Sequence, residues 1–102
     1  MSVVKVNKSN FEQEVLNSEK KVLLDFYAEW CNPCRMLGPI LDELAAEHPE
    51  YKVCKVNIDE EKELASRFEV MSIPSLFVME KGKVVNSSLG LKPKAQLLKM
   101  LN

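Results

Sequence analysis

The run Val22-Leu23-Leu24-Asp25-Phe26-Tyr27-Ala28 constrains this chain more than any other stretch. As an extended strand it is apolar on both faces, with Leu23, Asp25 and Tyr27 on one and Val22, Leu24, Phe26 and Ala28 on the other. Such a strand belongs inside a sheet covered above and below, as in proteins that alternate strands and helices. Periodicity elsewhere fits that expectation. Val3 to Val6 reads as a short strand. Ser9-Asn10-Phe11-Glu12 has the form of a capping box opening a helix with Phe11, Val15 and Leu16 on one face. From Pro33 onward Met36, Leu37, Ile40, Leu41, Leu44 and Ala45 recur at helical spacing, ending at His48-Pro49, with Pro39 expected to kink the helix. Lys52 to Ile58 is a further strand, and Asp59 is placed to cap a short helix bearing Leu64, Ala65 and Phe68. Leu76–Met79 and Val84–Val85 flank Glu80-Lys81-Gly82-Lys83 as a hairpin, and a last helix starts at Pro93 with Leu97, Leu98 and Leu101 on one face. The order is βαβαβαββα, an α/β class with one mixed sheet, and a single domain over 1–102 is expected.

Composition narrows function by exclusion. Fourteen Lys and Arg against fifteen Asp and Glu give a net charge of −1, with no basic excess to neutralise phosphates, so nucleic acid is not an expected partner. No apolar run approaches the ~18–20 residues that span a bilayer, so no membrane is expected either. The opening MSVVKVNKSN lacks the apolar stretch of a secretory signal, and an odd, small number of cysteines suits a reducing compartment, so the expected location is the cytoplasm.

Three cysteines are present, and Cys31 and Cys34 form a Cys-x-x-Cys directly after the buried strand. The spacing is open to a redox pair, half of a zinc site, or chance. Structural zinc needs four ligands, and beyond the pair this chain offers only Cys54 and His48; two copies together would supply four thiolates. No metal ligand is therefore assigned. As a redox pair the residues differ. Cys31 falls at a helix N-terminus, where free N–H groups and the macrodipole favour a thiolate, and Cys34 follows one turn later, less exposed. Cys31 is the expected nucleophile and Cys34 the resolving thiol. Lowering a thiol pKa from ~8.5 to ~7 raises the thiolate fraction about 16-fold at pH 7, but reduced nucleophilicity takes back about 5-fold. The larger gain is proximity: Cys34 attacks within one molecule, where effective molarities reach ~10⁵ M or more.

Asp25 is the second unusual residue. A carboxylate within a strand apolar on both faces is costly unless protonated or paired. Burial raises its pKa and suits it to accept the Cys34 proton, with Lys55 as the candidate charge partner. Cys54, between Val53 and Lys55, reads as a buried structural thiol.

The segment Asp25-Phe26-Tyr27-Ala28-Glu29-Trp30-Cys31-Asn32-Pro33-Cys34, followed by Ile73-Pro74-Ser75, resembles the thioredoxin family, and the similarity runs nearly end to end through Pro39, Lys55-Val56-Asn57-Ile58-Asp59, Gly82 and Gly90. The resemblance implies the thioredoxin fold, a mixed central sheet flanked by helices on both faces. It also implies a general protein dithiol–disulfide oxidoreductase working through a reversible Cys31–Cys34 disulfide, with no other bound cofactor. Its expected partners are a thioredoxin reductase that recharges it and oxidised protein substrates held transiently as mixed disulfides; the chain itself is expected to be a monomer. By the same resemblance Pro74 is a cis-proline facing the disulfide, and Ile73 offers backbone groups to an extended substrate. Trp30, Asn32, Pro33, Leu89 and Gly90 complete the substrate-binding surface. The family's usual Gly-Pro between the cysteines is here Asn32-Pro33. An Asn32 amide donating to the Cys31 thiolate would make the pair more oxidising by about 30 mV, the equivalent of one hydrogen bond, whereas an Asn32 that only rigidifies the turn would have little electronic effect. Tyr27 stands where many members carry a second tryptophan, and is expected to preserve the packing.

Overall fold

The computed structural model describes residues 3–102. Five strands form one mixed sheet in the order β1-β3-β2-β4-β5: β1 (Val4–Lys5), β2 (Lys21–Tyr27), β3 (Tyr51–Asn57), β4 (Ser75–Glu80) and β5 (Lys83–Leu89). β1, β3 and β2 run parallel, and β4 and β5 are antiparallel additions. The doubly apolar strand is accordingly the central one, paired on both edges.

Each face of β2 supports its own core. Val22, Leu24 and Phe26 meet Val6, Phe11, Val15, Cys54, Val56 and Leu64 on the side of a π-helical turn (Glu12–Leu16) and helix α2 (Lys62–Arg67). Phe68 joins this layer, its ring 5.1 Å from that of Phe26 and edge-on to Phe11 at 5.8 Å. Leu23 meets Leu37, Leu41, Leu44 and Ala45 of α1 (Asn32–Glu47) and Leu97 and Leu101 of α3 (Lys94–Leu101) on the other side. The thioredoxin fold expected from the sequence, with helices on both faces, is what forms. No helix among the described residues is long and apolar enough to cross a membrane.

Helix starts depart from the sequence patterns. At the first helix the chain is turned by Asn7, whose Oδ1 accepts from the Ser9 and Asn10 amides at 2.8 and 2.9 Å, while Asn10 Oδ1 accepts from the Asn7 amide at 2.8 Å. This reciprocal pair does the work expected of the Ser9 box, and the segment winds as a π-helical turn. Ahead of α2, Asn57 Oδ1 accepts from the Asp59 and Glu60 amides at 2.8 and 3.2 Å, leaving the Asp59 side chain free for another partner. The hairpin turn places Lys81 and Gly82 both at positive φ (52° and 80°), the geometry whose twist matches that of the flanking strands.

Candidate active site

β2 ends at Tyr27, the Cys31 amide donates back to the Ala28 carbonyl at 3.2 Å, and α1 begins at Asn32. Cys31 thus caps the helix with its side chain: Sγ accepts from the Cys34 amide at 3.2 Å. Pro33 lies in the first turn, where its missing N–H leaves no bond unmade. One turn brings the cysteine Cα atoms to 5.2 Å, and the pair is closed as a disulfide. Cys34 is not the less exposed residue that the sequence predicts: both cysteines are buried, Cys31 5% and Cys34 6% accessible, because the disulfide and the first turn of α1 enclose them together. Their surroundings distinguish them. Cys31 Sγ lies 3.9 Å from the Ile73 carbonyl oxygen. Cys34 instead lines a cavity of about 160 Å³ together with Asp25, Tyr27, Glu29, Arg35 and Lys55.

Asp25 is 3% exposed, and its Oδ1 has no hydrogen-bond partner. Burial pushes its pKa up from the ordinary 3.8 to about 7, against the opposing charge of Lys55. Lys55 stands directly across the β2–β3 register from Asp25. Its ammonium nevertheless sits over the Tyr27 ring, 5.5 Å from the centroid. The sequence therefore places the two residues correctly, and the structure gives the cation a different contact.

Around Cys31 the rim is apolar. Trp30 is 70% exposed and Leu89 62%. The Ile73–Pro74 bond is cis, Pro74 is buried, and its carbonyl accepts from the Gly90 amide at 2.8 Å. Gly90 sits at φ 86°, a conformation other residues adopt at a cost. Ile73 and Ile58 pack against the cysteines. Asn32 is exposed, and the donor to Cys31 Sγ is the Cys34 amide rather than the Asn32 side chain.

Two members of this region escaped the sequence reading. Asp59 accepts from the Trp30 indole at 2.9 Å, a contact between residues far apart in the chain that no local pattern announces. Met71, two residues before Ile73, is 94% exposed. Among the described residues no group of three or more His, Cys, Asp or Glu side chains is placed to hold a metal ion. Cys54 is fully buried, and burial pushes its thiol up to about 12, Lys52 opposing and Glu14 adding to the shift.

A pair of thiols that closes within one helical turn, just past the C-terminal end of the central strand and beside an unpartnered acid, defines a protein built for dithiol–disulfide exchange. Comparison with known proteins identifies the lineage. The thioredoxin family model matches residues 2–102. A thioredoxin of Haemophilus influenzae is 43% identical over 101 residues, covering 98% of this chain and 94% of that protein. One from Bacillus subtilis is 44% identical over 103 residues, covering 100% and 97%, and one from Streptomyces clavuligerus 46% over 94 residues, covering 92% and 88%. The chain belongs to the thioredoxin family and is a protein dithiol–disulfide oxidoreductase.

Proposed function

We propose that the pair works in a fixed order, Cys31 attacking and Cys34 resolving, with Asp25 as the proton acceptor for Cys34. The observation that carries this is the asymmetry of the two sulfurs: Cys34 shares its cavity with the unpartnered carboxyl of Asp25, whereas Cys31 sits at the rim beside Ile73. The Cys31 thiolate, stabilised by the Cys34 amide and the helix dipole, attacks one sulfur of a target disulfide. The other target sulfur leaves as a thiolate, and a mixed disulfide forms. Asp25, with a pKa of about 7, takes the proton of Cys34. The new thiolate attacks the Cys31 sulfur, the second target sulfur departs, and Cys31–Cys34 closes. Two electrons have passed to the target.

Trp30, Pro33, Ile73, Leu89 and Gly90 form the docking surface in this reading, the free backbone of Ile73 pairing with an extended segment of the target. Asn32 borders the same surface, and Pro74 shapes the Ile73 backbone that faces the sulfurs. Lys55 moderates the charge on Asp25 from across the strand pair. Recharging runs the same exchange in reverse, with a thioredoxin reductase supplying the electrons. A single domain over residues 1–102, acting as a cytoplasmic monomer, suits this role.

The test is reduction of insulin disulfides driven by dithiothreitol. Cys31→Ser is expected to abolish the rate above background, and Cys34→Ser to accumulate mixed disulfides with target proteins. Full activity in Cys31→Ser, or no trapped species with Cys34→Ser, contradicts the order of attack.

A further inference from the structure

Lys55 has two acceptors within reach of its position on β3. Asp25 lies directly opposite in the register, and Tyr27 lies two residues farther along β2 on the same face. A cross-strand lysine beside a buried carboxyl ordinarily pairs with it, because an unpaired buried acid is costly. Here the ammonium lies over the Tyr27 ring at 5.5 Å, within the range of cation–π attraction, and Asp25 Oδ1 has no partner. All three side chains line the cavity that reaches Cys34.

We propose that Tyr27 is a positioning residue for the resolving step: its ring holds the Lys55 ammonium off Asp25, so that the carboxyl faces Cys34 without a cation bound to it. The proposal rests on the reading of Asp25 as the proton acceptor for Cys34. The consequence is chemical. A carboxylate in contact with an ammonium is a weaker base, and transfer at neutral pH is most effective when the acceptor titrates close to the working pH. The Tyr27 ring thus sets how basic Asp25 can be, through the place it gives Lys55.

Other charges face the same space and stay constant in the comparison. Glu29 from the loop after β2, and Arg35 and Asp42 from α1, line the cavity with Cys34. Lys5 of β1, paired with Glu60 at 3.1 Å, adds its field from the Tyr27 side.

Rapid mixing of the reduced protein with a chromogenic aryl disulfide separates the steps, the first thiolate release reporting attack and the second reporting resolution. In the unmodified protein the second phase should rise with pH through Asp25, and Asp25→Asn should remove that limb. A limb that survives Asp25→Asn sinks the reading of Asp25 and the proposal with it. With Asp25 so identified, Tyr27→Leu frees Lys55 to approach the carboxyl, and the limb is expected to move down by about half to one pH unit. Tyr27→Trp keeps an aromatic face and should leave the limb at or above its original position. Removing the ring also admits water to Asp25, which lowers the limb with or without the lysine, so the decisive arm is Lys55→Met, in which adding Tyr27→Leu should move the limb by clearly less than it does with Lys55 present. An unmoved limb in Tyr27→Leu, a lowered one in Tyr27→Trp, or an equal drop without Lys55 overturns the proposal.

Discussion

The Trp30 indole Nε1 donates to Asp59 Oδ2 at 2.9 Å, tying the residue before Cys31 to the loop that follows β3. With 70% of Trp30 in water, the ring has little packing to orient it, and this bond sets its direction. Asp59→Ala should therefore raise KM for insulin about 2–5-fold with kcat little changed, the worth of one exposed hydrogen bond. Tryptophan anisotropy should fall in the same variant, and Asp59→Asn, which keeps an acceptor, should restore most of both. An unchanged anisotropy would show that the ring is held by something else.

Asp25 makes stability depend on pH. Its folded pKa of about 7 lies above the ordinary 3.8, so the folded chain keeps a proton that the unfolded chain gives up earlier. Stability from this group is complete below about pH 4, declines as pH rises toward 7, and is level above that. At about 1.4 kcal/mol per pH unit the decline amounts to at most about 4 kcal/mol. Asp25→Asn should flatten this part of the curve, and Asp25→Ala should raise neutral-pH stability by about 2–4 kcal/mol. Urea melts at pH 5 and pH 8 measure both; an Asp25→Ala protein less stable than the parent at pH 8 contradicts the sign.

Asn32 distinguishes two ways of holding the Cys31 sulfur. A hydrogen bond donated by its side-chain amide would leave the protein about 30 mV more oxidising than Asn32→Gly, whereas the Cys34 amide acting alone leaves the pair within ~5 mV. Asn32 is exposed and the Cys34 amide already donates at 3.2 Å, so the smaller difference is the expected one. Equilibration of both proteins against a glutathione couple reads it directly.

Cys54 should be chemically silent while the fold persists. Burial keeps its thiol protonated at neutral pH, and no part of the residue is exposed. Iodoacetamide applied to the reduced native protein should label Cys31 first and reach Cys54 only under denaturing conditions, as mass spectrometry will show. Cys54→Ser should cost about 1–3 kcal/mol by burying a hydroxyl among Val56, Leu24 and Val22. Modification of Cys54 by mild oxidant before unfolding would point to a regulatory role instead.

Much of the architecture was legible because its causes are local. The two-sided apolarity of Val22–Ala28 marks a central strand wherever it occurs, and i, i+3, i+4 spacing marks α1 and α3 before any partner is known. Capping was read less well for a related reason. Asn7, Ser9 and Asn10 are interchangeable as local acceptors, as are Asn57 and Asp59, and which one turns the chain depends on the direction in which it leaves the preceding strand.

By itself the sequence determined the α/β order, the central place of β2, and a cysteine pair at the start of α1, since covalent spacing and side-chain periodicity suffice for each. Only the tertiary structure decided that Asp59 serves Trp30, that Asp25 and Cys34 share one cavity, and that Lys55 rests on Tyr27. Those are choices among several acceptors within reach, and they turn on ångström-scale geometry that emerges once the sheet has paired and the helices have closed over it.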